Sequence, residues 1–140
     1  MATTAASPAA TAPVPLWIGR VLSGLTVAFL VMDAGMKIVG IPQVGETAAQ
    51  LGWPSDAGFW RGMGLLLLGC TLLYAWPRTA LFGAVLLTGY LGGAIATHVR
   101  AGSPLFTHVL FGLYLALAMW GGLWLRRPDL RALLPLSAKD

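Results

Sequence analysis

With 140 residues, 57% of them hydrophobic and 10% charged, the chain carries well under half the charge of an ordinary soluble domain, which has about 25%. Its mean hydropathy of +0.76 places it among membrane proteins. The net charge of +4 does not make it a nucleic-acid binder, because its basic residues are dispersed and flank apolar runs instead of forming a stripe.

Residues 1–15, MATTAASPAATAPVP, are rich in Ala, Thr and Pro and hold no Lys or Arg, so they read as a disordered tail. They lack the basic n-region of a secretory signal, and the first apolar segment is therefore expected to be retained. Four segments have the length of about 20 residues that a bilayer crossing needs: 16–39, 57–76, 79–99 and 106–125. Pro77-Arg78 separates the second from the third, and Gly102-Ser103-Pro104 the third from the fourth. Short connections make consecutive helices antiparallel neighbours. The expected fold is all-α: an integral membrane bundle of four transmembrane helices, up-down-up-down, over 16–127, followed by a tail at 128–140. The longest connection, GIPQVGETAAQLGWPSD, places Val44, Ala48 and Leu51 on one helical face and Glu46 and Gln50 off it, which suits an interfacial helix at 43–51.

Orientation follows from the basic residues at each end. Arg20, Arg78, Arg126, Arg127, Arg131 and Lys139 fall at the end carrying both termini, and Lys37, Arg61 and Arg100 at the other. The positive-inside bias puts both termini in the cytoplasm and the other end in the periplasm.

The third segment contains TGYLGGAIATHVR. Its glycines fall in mid-span, with no strand before them, so it is not a phosphate-cradling loop. Gly89 and Gly93 form a G-x-x-x-G pair, and Gly92 and Ala96 a second small pair one step round. Both are expected to be faces on which neighbouring helices pack. Tyr90, Thr97 and His98 are not explained by packing, because polar groups within a span usually face the interior or a cavity. In the first segment Asp33 and Lys37 are spaced i,i+4 with the acid first, the better order for an ion pair. The local alternative is that the pair neutralises itself while Lys37 reaches toward the surface.

Helix direction brings these groups together. In an up-down bundle Asp33, Lys37, Arg61, His98, Arg100 and His108 fall at one end, with Glu46 and Asp56 over it. The candidate pocket residues are Asp33, Lys37, Tyr90, Thr97, His98 and His108. They match no metal, haem or flavin motif: the two histidines and the aspartate lie on three different helices without a tight ligand spacing. An acid, a tyrosine and a histidine at the mouth of an apolar cavity suit the polar head of an amphipathic small molecule, such as a quinone, whose carbonyls accept hydrogen bonds. The one cysteine, Cys70 in GLLLLGCTLLYAW, excludes an intramolecular disulfide and reads as a buried small hydrophobe.

The stretch PRTALFGAVLLTGYLGGAIATHVR, the ending GGLWLRRPDLRALLP, the first-segment Asp33, Gly35, Met36 and Lys37, and QLGWP at 50–54 together resemble the DoxX-like family of small bacterial membrane proteins. The resemblance covers about residues 17–135 and implies a four-helix bundle in the bacterial inner membrane. The family takes its name from a subunit of a thiosulfate-to-quinone oxidoreductase, and some relatives are associated with redox and thiol-stress complexes. The chain departs from the family pattern at Leu66, which stands where an acid is expected early in the second helix.

Three functions are carried forward. The first is an accessory, small-molecule-binding protein with a quinone-like or lipidic ligand, docking to a redox partner. The second is a membrane subunit of a thiol- or sulfur-compound quinone oxidoreductase; a single cysteine cannot run a dithiol cycle, so its electrons would come from a partner or from substrate. The third is a structural or transport-related oligomer associating through the G-x-x-x-G face.

Overall fold

A computed structural model describes residues 13–133. Among them every regular element is helical: α1 Pro13–Val39, α2 Pro42–Gln50, α3 Ala57–Ala75, α4 Ala80–Arg100, a π-helical turn Leu105–Val109, α5 Phe111–Arg126 and α6 Pro128–Leu133. Four stretches are long and apolar enough to cross a bilayer: Val14–Val39, Ala57–Ala75, Ala80–Arg100 and Leu105–Arg126. Of the tail expected at 1–15, residues 1–12 lie outside the described part, and the rest belongs to the first turn of α1. The tail expected at 128–140 is helical over Pro128–Leu133, and its remainder, with Lys139, also lies outside.

The helix limits have local causes. Proline suits the first turn of a helix, where no N–H is needed, and Pro42 opens α2 in this way. Asp56 caps α3 by accepting from the Phe59 amide at 2.7 Å. Gly40 and Gly52 take φ of 76° and 71°, a region that glycine enters without steric cost, and they turn the chain at either side of α2.

α1 packs against both α3 and α5, and α4 packs against the same two helices. Each of these four interfaces contains a glycine against which the neighbouring helix lies closely. A Cβ added at Gly64 of α3 would come within 2.8 Å of the Ala34 carbonyl of α1, and one at Gly83 of α4 would meet the backbone of Leu73 and Tyr74 in α3. A Cβ at Gly112 of α5 would meet Ile95 of α4 at 2.8 Å, and one at Gly122 of α5 would meet Ser23 of α1 at 2.6 Å. In lipid, helix association rests on such close packing, because the tails are as apolar as the helices.

These findings correct the expected packing face. Gly89, Gly92 and Gly93 would each receive a Cβ with nothing within 4 Å, and all three, with Ala96, are exposed. The small residues that admit a neighbouring helix within this chain lie elsewhere, while Gly89 and Gly93 leave space open.

The core is centred on Leu30, Leu67, Tyr74, Leu87, Met119 and Leu123. Tyr74 is fully buried; its hydroxyl donates to the Met119 carbonyl at 2.9 Å and meets Ser23 Oγ at 2.9 Å. This network joins three helices, and it satisfies polar atoms that would otherwise be costly in the interior. Outward-facing residues include Leu25, Leu65, Leu72, Phe82 and Leu117, more than half of whose surface remains exposed. A soluble monomer rarely shows such an apolar exterior, and a chain surrounded by lipid needs one.

Candidate ligand-binding cavity

The open space beside Gly89 and Gly93 is part of a cavity of about 610 Å³, within the range of small-molecule sites. Asp33, Lys37, Tyr90, Thr97, His98 and His108 all line it. Two helices and the π-helical turn place them there. α1 contributes Asp33 and Lys37 from its last two turns, and α4 contributes Tyr90, Thr97 and His98. The π-helical turn, with bonds Val109 N–H to Pro104 at 3.3 Å and Leu110 N–H to Leu105 at 2.9 Å, presents His108. Such turns shift the residues after them relative to a regular helix, and they are frequent at functional sites.

Most of the wall is apolar. Phe29, Leu30 and Met36 come from α1, Trp60, Met63 and Leu66 from α3, and Phe111 and Leu115 from α5. The polar groups are few and differ in how fully they are committed. Lys37 Nζ donates to Asp33 Oδ1 at 2.5 Å, with side-chain exposures of 14% and 27%, so the two charges neutralise each other in a partly desolvated place. Thr97 Oγ1 donates to the Gly93 carbonyl at 2.9 Å, and its hydroxyl is satisfied by its own helix. The His98 and His108 rings lie with centroids 5.6 Å apart. Nδ1 of His98 bonds Ser103 Oγ at 3.0 Å, and Nδ1 of His108 bonds Thr107 Oγ1 at 2.8 Å. A hydroxyl occupying Nδ1 leaves Nε2 as the nitrogen free to meet a ligand, and it acts as donor or acceptor according to tautomer.

Helix α2 covers the mouth. Val44, Ala48 and Leu51 face the cavity, while Glu46 and Gln50 are exposed. Its far end is fastened by Arg100, whose Nη2 donates to the Leu51 carbonyl at 2.8 Å. Beside it Trp53 stacks on Phe59 at 5.6 Å, and Trp60 Nε1 donates to the Pro54 carbonyl at 2.8 Å.

Not every group expected at this end enters the cavity. Arg61 and Glu46 are exposed and outside its lining, Asp56 serves as a helix cap, and Arg100 acts as the fastening of α2. Trp60, Met63, Ser103 and Thr107 were not singled out from sequence; the first two looked like ordinary span residues, and the hydroxyls matter only because they meet histidines. Leu66 lines the cavity, so the position where the family pattern has an acid presents an apolar side chain here. Cys70 is buried and not part of the wall.

The model of the DoxX-like family matches residues 21–122, which includes all six pocket residues and all of α2, α3 and α4. No curated protein matches the chain, and no solved structure matches it.

Proposed function

The chain belongs to the DoxX-like family and is a membrane protein with four helices able to span the bilayer; on that premise, we propose that it is an accessory component holding a quinone-like or lipidic molecule in its cavity. The observation that carries the proposal is the convergence of Asp33, Lys37, Tyr90, Thr97, His98 and His108 on one largely apolar space of about 610 Å³. An apolar ring or chain lies against Phe29, Met63, Leu66 and Phe111, while its polar head meets the histidines and the Asp33–Lys37 pair. The neutralised ion pair favours an uncharged head, since a net charge on the wall would require a counter-charge in the ligand. In this reading the cavity opens toward the periplasm, the termini are cytoplasmic and the membrane is the bacterial inner one.

A role as a subunit of a thiol- or sulfur-compound quinone oxidoreductase uses the same cavity, with electrons delivered by a partner, because Cys70 lies outside the wall. Titrating quinones and quinols into the purified chain while recording its melting temperature tests the ligand class. A saturable rise for an uncharged quinone, reduced by His98→Ala, is expected. An unchanged melting temperature with every quinone and apolar lipid tried refutes it.

A further inference from the structure

The end of the bundle away from the cavity is the second polar region of the molecule. Helix ends meet there: a Cβ on Gly19 would touch the Arg126 stem at 3.0 Å, and Arg127 Nη1 donates to the Pro77 carbonyl at 2.9 Å. Arg20, Arg78, Arg126, Arg127 and Arg131 gather at this end. Against them stands Asp129, which Arg127 already holds through Nε at 3.0 Å and Nη2 at 2.6 Å. Among the described residues no other ion pair forms here.

Arg20 and Arg78 are exposed and can be hydrated, but Arg126 and Arg131 are half-buried. Arg126 Nε and Nη2 and Arg131 Nε are out of contact with solvent and have no hydrogen-bond partner. The Arg126 guanidinium lies over the Tyr74 ring at 5.6 Å, and that of Arg131 over the Trp124 ring at 5.7 Å. Those rings stabilise the faces of the cations but do not accept from the N–H bonds in their planes. A buried charged donor without an acceptor is unfavourable, and native proteins seldom leave one so.

Nε and Nη2 form one edge of the guanidinium, where two parallel N–H bonds match two oxygens of a single anion. Trp17 and Trp76, 63% and 64% exposed, lie at this end of α1 and α3, and such residues settle at headgroup depth. The anion abundant at that depth is the lipid phosphate. We propose that Arg126, assisted by Arg131 of the following helix α6, binds the phosphate group of an anionic lipid headgroup. Tyr74 and Trp124 support the faces of the two cations, and binding requires the Arg126 edge, covered in this structure, to swing outward to meet the lipid.

The test uses the full chain in an uncharged detergent, with phosphatidylglycerol, phosphatidylcholine and inorganic phosphate as probes. Bound lipid is counted by native mass spectrometry, and the melting temperature is recorded in parallel. Phosphatidylglycerol is expected to stay bound and raise the melting temperature, with little effect from inorganic phosphate at equal concentration. Arg126→Lys keeps the charge and the stem but loses the two-pronged edge, so it should weaken phosphatidylglycerol binding about tenfold. Arg131→Gln should weaken it roughly threefold, while Arg78→Gln, which removes an exposed charge from the same end, should change it by less than about twofold. Wild-type binding by Arg126→Lys, or an equal loss in Arg78→Gln, overturns the site in favour of diffuse attraction. If Arg126→Lys fails to fold, undiminished binding by Arg131→Gln does the same. Stabilisation by inorganic phosphate as large as that by lipid, or equal retention of phosphatidylcholine, overturns the assignment to an anionic lipid.

Discussion

Gly83→Ala and Gly93→Ala form a matched pair of one-methyl substitutions in the same helix, and they should move stability in opposite directions. At Gly83 the new methyl would overlap backbone atoms of Leu73 and Tyr74, which cannot turn aside as a side chain can. α3 and α4 would have to separate around Tyr74, which is fully buried and bonded to Met119 and Ser23. Overpacking typically costs about 1–3 kcal/mol, and because the obstacle is backbone the upper end, about 3 kcal/mol, is expected. At Gly93 the methyl enters open space, and replacing glycine within a helix stabilises it by about 1 kcal/mol. The propensity gain applies to both glycines of α4, so the two variants should differ by the packing cost alone, roughly 3 kcal/mol on this scale. Reversible unfolding in mixed micelles, followed by circular dichroism, measures the difference. Equal stabilities, or a Gly93→Ala variant as damaged as Gly83→Ala, would refute the assignment of which glycines carry helix contacts.

Tyr74→Phe removes a hydroxyl that serves both Met119 and Ser23 and should cost about 1–3 kcal/mol in the same unfolding assay; Tyr114→Phe, on an exposed side chain, should cost almost nothing. Arg100→Gln removes the fastening at Leu51. It should raise deuterium uptake in α2 with little change in α3, and unchanged uptake would mean that α2 is held by other contacts. Hydrogen bonds from Arg127 hold the Asp129 carboxyl below the usual range, at about 2. The pair therefore contributes fully above the ordinary carboxylate value near 4 and is lost as pH falls through about 2. Carbon-detected titration should give that midpoint, and Arg127→Gln should return it toward about 4.

The four spans were legible because lipid imposes length and apolarity on any helix that crosses it, and Pro77 and Pro104 mark the breaks. The polar cluster was legible for a related reason. Short connections fix which helix ends meet, so Asp33 and Lys37 could be placed near His98 and His108 without knowing any side-chain position. The helix-contact glycines were misjudged because G-x-x-x-G spacing reports a smooth face without saying what lies against it. At Gly89 and Gly93 that face borders a cavity, while the closest helix contacts use Gly64, Gly83, Gly112 and Gly122 without that signature. Tyr74 stood near the end of a span, where a tyrosine looks like an interfacial anchor, and only the fold shows that Ser23 and Met119 enclose its hydroxyl. The unpartnered edge of Arg126 was likewise hidden, since a basic pair after a span reads as an ordinary anchor.

The most direct test of the cavity reading compares what copurifies with the wild-type chain, Gly93→Leu and Gly92→Leu after mild extraction, by mass spectrometry of bound lipophilic molecules. Gly93 borders the cavity and Gly92 does not, although both would accept a Cβ without contact. An uncharged, amphipathic molecule should accompany wild type and Gly92→Leu in near-stoichiometric amount and be lost from Gly93→Leu. Empty wild-type protein, or the same molecule carried equally by all three, would contradict it.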